Sequence, residues 1–389
     1  MEVKQIYQIM NSVTQELLGE SAVVAEDLSN IVELGQQFES VVGLDNYVRK
    51  LPDHVGRVIF VNRTYEGRAP RVLMDGWEYG SILEKIAARI PEAVENEDFS
   101  LQDNVSYDPN VFHSPDVMGA FWNKRTTFEI DMSITEDQVK SSFSSVTQLN
   151  GFLSMILNAI ETSLTIKLDA LIMRTINNMI GETMYAEVPG GTYTGRTGTK
   201  AVNLLYLYNT TMYGQTTGSY ITADAALHTP EFIRFASYVM ANYVDRLKVA
   251  SNLFNIGGET RFTGASDLHV VMLSEFKNAA AAYLQSDTFH NEYTALPDAE
   301  SVVYWQGSGT GYGFSSTSEV KIGTASGHDV DVTGVLAVMF DRDALGVTNQ
   351  ERKVNTHYNE KASFWNYFYK QFAGYFNDTN ENFVVFYIA

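Results

Sequence analysis

The chain has 389 residues, a formal charge of −20, 45% apolar and 12% aromatic residues, and no cysteine. At about 150 residues per domain this length predicts two or three units or one elaborated fold, and the apolar content excludes a disordered or low-complexity chain. The missing cysteines exclude a disulfide framework, a thiolate zinc site and a cysteine nucleophile, and the acidic balance argues against broad nucleic-acid binding, which takes a surplus of Lys and Arg.

The start, MEVKQIYQIMNSVTQELLG, carries an early acid and no continuous apolar core, so it does not read as a signal peptide. The longest apolar runs, such as Val335 to Phe340, fall far short of the ~20 residues of a spanning helix, and the expectation is a soluble cytoplasmic product. Residues 1 to 51 read as two or three short amphipathic helices, with Ile6, Met10, Val13 and Leu17 on one stripe and Leu28, Ile31, Val32 and Phe38 on another, before Pro52. Val58 to Asp75 looks extended, in a basic stretch carrying Arg57, Arg63, Arg68 and Arg71. Ile82, Ile86 and Ile90 then follow at helical spacing. Next the charge inverts: between Pro91 and Asn123 there are seven acids, among them Glu95, Glu97, Asp98 and Asp103, and no Lys or Arg. Three prolines in the same segment predict an exposed, irregular excursion.

From Phe128 the period changes. Phe128, Ile130, Met132 and Ile134 alternate with Glu129, Asp131, Ser133 and Thr135, the pattern of a strand with one buried face. Thr135-Glu136-Asp137-Gln138 then fits a capping box, the threonine oxygen taking an orphan amide while Gln138 reaches back, and Ile134 and Val139 sit where a hydrophobic staple belongs. Apolar positions at steps of three and four continue to about Ile180, which predicts a helix of roughly 45 residues with Gly151 as a point of bending. A Gly- and Thr-rich loop, Pro189 to Thr199, follows. Thr229 with Pro230 announces a further helix to about Lys248. Leu268 to Leu273 reads as a buried strand and Ser274 to Gln285 as a helix; Val302 to Trp305 and Val330 to Phe340 are strand candidates. The end of the chain, FVVFYI, reads as a buried strand.

Motifs for chemistry are weak. Gly307, Gly309, Gly311 and Gly313 alternate too strictly for G-x-G-x-x-G, with no helix expected after them, and read as a hairpin tip. The GTK at Lys200 misses the phosphate-loop pattern, and the seven histidines lack metal-ligand spacing. His328, Asp329, Asp331, Asp341 and Asp343 suggest an oxygen-rich cation site, against the plainer reading of acids alternating on an exposed strand. The aromatic stripe Phe364 to Phe376 fits packing better than a platform for bases or sugars, because few basic residues accompany it. No catalytic, cofactor-binding or metal residue is assigned.

The strand phrase FWNKRTTFEI, followed by TEDQVKSSF and LNGFLSMILNAIETSLTIKLDALIMRTINNMI, resembles the major capsid proteins of tailed double-stranded DNA bacteriophages. Further matching phrases are DNYVRKL, VGRVIFVNRTY, VLMDGWEYGSILEKI, LHVVMLSEFKNAAAAYLQSDTF, LAVMFDRDALGVT and NEKASFWNYFYKQFAGYFND, so the resemblance spans nearly the whole chain. It implies an α+β, Hong Kong 97-type capsid fold. Residues 1–63 would be an N-terminal arm, 64–132 an extended E-loop, and 133–199 a peripheral domain with a spine helix over about 136–180. Residues 200–345 would be an α/β axial domain, and 346–389 a C-terminal return to the sheets. The family places a strand where the Ile82, Ile86, Ile90 spacing suggests a helix, and the strand is the expectation adopted.

The implied function is a non-enzymatic shell subunit that assembles with itself into pentamers and hexamers of an icosahedral virion capsid around packaged double-stranded DNA. Assembly would take place in the host bacterial cytoplasm. Implied partners are a scaffolding protein, a portal, the packaged DNA without sequence-specific binding, and a decoration protein; no membrane and no cofactor is expected. The arm begins almost at Met1, which suggests a separate scaffolding protein or a chain in mature form. The charge inversion predicts that Glu95, Glu97, Asp98 and Asp103 meet Arg57, Arg63, Arg68 and Arg71 of an adjacent subunit. Ile134, Thr135, Gln138 and Val139 would form the junction of E-loop and spine. An encapsulin-like compartment shell is one rival reading, and a glycan-binding or glycan-cleaving protein a more distant one.

Overall fold

The computed structural model describes residues 69–72, 83–93, 103–104, 110, 112–135, 146–213, 220–285, 299–306 and 313–389, with Asn11 and Gln15. Apart from Asn11 and Gln15, which are helical, the reading of residues 1 to 51 lies outside them, as do the capping box at 136–138 and the glycine tip at 307–312. Among the described residues no helix is long and apolar enough to cross a membrane.

A five-stranded mixed sheet runs in the order β4 (Ala201–Asn203), β12 (Phe383–Tyr387), β9 (Val335–Asp341), β5 (Leu268–Leu273), β6 (Glu300–Val302). Strands β9, β12 and β5 pair antiparallel, while β4 and β6 join the edges in parallel. The sequences FVVFY and VLAVMF are unbroken apolar runs because both faces of the sheet are covered. Phe383, Val385 and Tyr387 face one core with the C-terminal half of helix α1 (Val146–Glu187). Val384 and Phe386 face the other, with α2 (Pro230–Leu247) and α3 (Ser274–Gln285).

The second sheet is antiparallel, in the order β10 (Leu345–Asn359), β11 (Phe364–Asn377), β3 (Arg125–Thr135). The alternation expected for Phe128 to Thr135 is present: Ile134 is buried, while Glu129, Asp131 and Ser133 face solvent. The aromatic stripe lies in the middle strand, where Trp365, Tyr367 and Tyr369 pack with Ile134 against Ile160 and Leu164 of α1. It is therefore core, as its lack of basic neighbours suggested.

Helix α1, 42 residues and about 63 Å long at 1.5 Å per residue, thus forms a wall of the three-stranded sheet's core and of one of the two cores of the five-stranded sheet. It continues past Ile180, the expected end, to Glu187. Gly181 does not stop it, because the glycine serves close approach rather than termination. A Cβ there would sit 2.8 Å from Thr324 Cγ2 and 3.0 Å from Ile322 Cγ2, on the hairpin of β7 (Val320–Gly323) and β8 (Asp329–Val332). The same helix face holds the hairpin turn. Asn178 Oδ1 accepts from the Ala325 N–H at 2.7 Å, Glu182 Oε1 accepts from Ser326 N–H at 2.9 Å, and the Tyr185 ring stacks on His328 at 3.7 Å.

Other expectations are corrected in detail. The strand expected at Val302 to Trp305 is Glu300–Val302, because Trp305 turns into the core and donates its Nε1–H to Val335 O at 2.8 Å. The strand expected over Val330 to Phe340 is two strands, broken by Gly334 at φ +87°, where a Cβ would overlap the carbonyl oxygen of Ile388. A one-turn helix, Phe314–Thr317, does follow the glycine run. Thr229 precedes α2 with Pro230 in the first turn, but its hydroxyl donates back to Ala225 O at 2.8 Å instead of capping the helix.

In an ordinary helix interior Gly→Ala gains about 1 kcal/mol. Gly181→Ala should instead destabilise the chain by about 1–3 kcal/mol through overpacking. Adding Thr324→Ser, which removes the opposing methyl but keeps the hydroxyl that accepts from His328 N–H, should restore much of that loss in urea unfolding.

Candidate inter-subunit surface

Strands β1 (Leu83–Ala88) and β2 (Val117–Trp122) form a two-stranded antiparallel ribbon, in register from Leu83 opposite Trp122 to Ala88 opposite Val117. Successive side chains point to opposite faces. Leu83, Lys85 and Ala87 share the half-buried face with Met118, Ala120 and Trp122. The outer face carries Glu84, Ile86, Ala88, Val117, Gly119 and Phe121, and Ile86, Val117 and Phe121 are 66%, 53% and 65% exposed. Ile86 lies opposite Gly119, and the Phe121 ring leans along its strand to within 3.5 Å of where a Gly119 Cβ would be. The outer face is therefore one apolar patch. A spacing of four is even, so Ile86 and Ile90 fall on one face of a strand as readily as of a helix; the strand expected from the family is what forms.

The inner face is held by charge. Lys85 Nζ lies 2.9 Å from Asp378 Oδ2 and 2.8 Å from Glu381 Oε1, both on the turn between β11 and β12. Arg261 Nε approaches the same Glu381 carboxylate at 3.3 Å. Beyond β1, Arg89 pairs with Glu259 at 2.8 Å and Asp116 at 3.0 Å. Trp122 donates its Nε1–H to Asn377 O at 3.2 Å and lies against Phe376. Burial pushes the Lys85 ammonium down, but hydrogen bonds and charge from Glu381 and Asp378 outweigh it and hold its pKa above the usual lysine value. Burial pushes Glu381 up, only partly offset by Lys85 and Arg261. The stabilisation from Lys85 is thus complete below its ordinary pKa and is lost as pH rises through the raised value.

A second apolar patch lies after α2. Ser251 and Arg261 exchange two backbone hydrogen bonds of 2.9 and 3.0 Å, and Thr263 N–H donates to Leu247 O at 2.7 Å, closing a loop. Ile256 and Gly257 N–H donate to Thr379 O, and buried Phe254 packs on Tyr243. Held this way, the loop presents Val249, Leu253 and Phe262 to solvent, each more than half exposed, with the exposed cations Arg246 and Lys248 beside them.

Of the residues singled out in the sequence, Arg71 donates its backbone N–H to Glu300 Oε2 at 2.7 Å, and Asp103 sits exposed in a turn. Ile134 is core, and Thr135 closes β3 opposite Phe364. Arg57, Arg63, Arg68, Glu95, Glu97, Asp98, Gln138 and Val139 lie outside the described residues. The suggested cation constellation is dispersed. His328 stacks on Tyr185, Asp331 pairs with Lys321 and, like Asp329, is exposed on β8, and buried Asp341 accepts from Thr263 and from the Asp343 backbone. Sequence reasoning missed Lys85 and Arg89. The signal was a lysine on the inner side of an alternating strand, but its acids stand almost 300 residues later.

The chain matches the family model of the Phi29-like phage major capsid protein over residues 10–387, and it belongs to that family. It is a capsid shell subunit, and neither the compartment nor the glycan reading is favoured. No curated protein matches it. The capsid structure of Staphylococcus phage Andhra is similar in fold, with a TM-score of 0.52 at 9% identity, over 85% of this chain and 86% of that one. Also similar are a structure of the head fiber and inner core protein of bacteriophage P68 (TM-score 0.49, 10% identity, 85% and 88% covered) and the capsid of cyanophage P-SCSP1u (0.44, 11%, 85% and 94%).

Lys85→Met keeps the apolar stem but leaves Asp378 without its ammonium and Glu381 with Arg261 alone. It should weaken ribbon docking by about 2–3 kcal/mol, the scale of hydrogen bonds to charged groups. Hydrogen exchange on the unassembled subunit should then quicken at residues 83–88 and 117–122 while the five-stranded sheet stays protected.

Proposed function

We propose that the β1–β2 ribbon joins subunits of the shell by lying over an adjacent copy. The observation that carries this reading is that both faces of the ribbon need cover and, among the described residues, the chain covers only the inner one. An isolated two-stranded ribbon is marginal in water, and exposed apolar patches of this kind mark contact sites. In the Hong Kong 97-type arrangement, 64–132 would be the E-loop, 133–199 the peripheral domain with α1 as its spine helix, and 200–345 the axial domain. Residues 1–63 would be the arm and 346–389 the return to the sheets. The length of α1, shared between two cores, suits a rigid spine. Pentamers and hexamers of such subunits would enclose double-stranded DNA after assembly in the host cytoplasm, with a scaffolding protein and portal as partners. The role is structural rather than catalytic.

Two tests follow from this assignment. Ile86→Ser with Phe121→Ser touches exposed positions, so the melting of the isolated subunit should change by no more than about 0.5 kcal/mol. Burial of such side chains contributes about 1.5–3 kcal/mol each, so shells should disappear from electron micrographs and sedimentation profiles; shells of normal yield would remove the ribbon from the contact. The second concerns charge. Arg57, Arg63, Arg68 and Arg71 are proposed to meet Glu95, Glu97, Asp98 and Asp103 of a neighbour, setting register more than affinity. Arg68→Glu with Arg71→Glu should lower assembly yield and narrow the range of salt the shell tolerates, and unchanged values for both would discard the pairing.

A further inference from the structure

We propose that the outer face of the ribbon docks on the 249–262 loop of an adjacent copy of this chain, with Ile86, Val117 and Phe121 against Val249, Leu253 and Phe262. This rests on the shell reading above and names the partner surface. Within one copy all six side chains are more than half exposed, so neither patch covers the other even though Arg89 and Glu259 tie the ribbon to the loop. Both patches are presented on held frames, the ribbon by Lys85 and Trp122 and the loop by the Ser251–Arg261 bridge, which lowers the ordering cost of docking.

The ribbon carries exposed cations at its ends, Arg89 beside Asp116 and Lys124 and Arg125 after β2, but the one charged side chain on its outer face is acidic, whereas the loop patch is bordered by cations. Glu84 stands on the outer face directly across from Phe121, and Glu92 and Asp116 lie exposed beyond the ribbon's end, Asp116 facing Arg89. Beside the loop patch stand Arg246, which also lies over the Tyr243 ring, and Lys248, whose partner Asp245 is itself exposed. An apolar centre with a complementary charged rim is the usual anatomy of a specific interface. The outer face of β1 and β2 carries no cation, so a contact between two ribbons would leave Glu84 without an opposite charge, and sign favours the loop. A contact between two different patches is heterologous and runs head to tail, which closes into rings when the rotation permits.

Charge exchange tests the pairing. Glu84→Lys and Lys248→Glu should each raise the subunit concentration needed for assembly about tenfold, and the double variant should return to within about threefold of the parent. A double variant no better than the worse single one overturns the proposal. A covalent test covers variants that fail to assemble. The chain has no cysteine, so subunits carrying Phe121→Cys and subunits carrying Leu253→Cys, mixed and oxidised after assembly, should give a disulfide heterodimer. Phe121→Cys mixed with Ile166→Cys, an exposed position on α1, should not. Particles that form without the heterodimer exceeding this control refute the loop as partner and leave the shell reading intact. Parent chain that forms no particle at all would overturn both.

Discussion

One helix has to serve two cores, and the rest of the structure depends on that constraint. Ile160 and Leu164 close the inner face of the three-stranded sheet, and residues from Leu168 onward enter the core of the five-stranded sheet. The first part of this stretch needs only a stripe, so its apolar residues recur at three and four. Further on, Ile176, Met179, Ile180 and Met184 are fully buried, and of the polar groups beside them some bond to backbone carbonyls while Asn177 Oδ1 and Thr183 Oγ1 are buried without a partner among the described residues. Asn177 donates to Trp305 O at 2.7 Å and Thr175 donates to Leu171 O at 2.8 Å. A buried polar group left without a partner costs about 1–3 kcal/mol, so these bonds limit that penalty along this stretch to Asn177 Oδ1 and Thr183 Oγ1. The helix is thereby embedded in both sheets through one continuous element.

The ribbon is held differently. Its inner face is fastened by one ammonium shared between two carboxylates and by Trp122 against Phe376, and the ionic part fixes register without demanding a continuous apolar surface. Lys85 can meet Asp378 and Glu381 in one register only, because a slip of one residue would turn it to the outer face. The charged inner anchor therefore determines which residues form the outer patch.

Most of the architecture was legible where the period was unambiguous. β3 could be read from strict alternation, β12 from an unbroken apolar run at the chain end, and α2 from Thr229-Pro230. The misses share a cause, which is that they depend on distant partners. Gly181 reads as a stop unless Thr324 and Ile322 are known to lie against it. Val330 to Phe340 reads as one strand unless Ile388 is known to crowd Gly334. The candidate surface was not legible in its apolar part, since Ile86 and Ile90 are compatible with either period. Nothing local to Lys85 points to acids on the turn between β11 and β12.

A subunit that exposes two apolar patches must still remain soluble before it assembles, and the formal charge of −20 bears on this. Net charge of one sign keeps free copies apart at long range, and the Debye length of about 8 Å at physiological salt confines that repulsion to the approach. Once surfaces meet, local sign governs, and a basic rim beside Val249 and Leu253 is attractive only to an acidic counterpart. Global repulsion with local complementarity disfavours random aggregation through the patches while leaving one oriented contact favourable. The same argument gives a reason for Arg246 and Lys248 to stand beside Val249 and Leu253 in so acidic a chain.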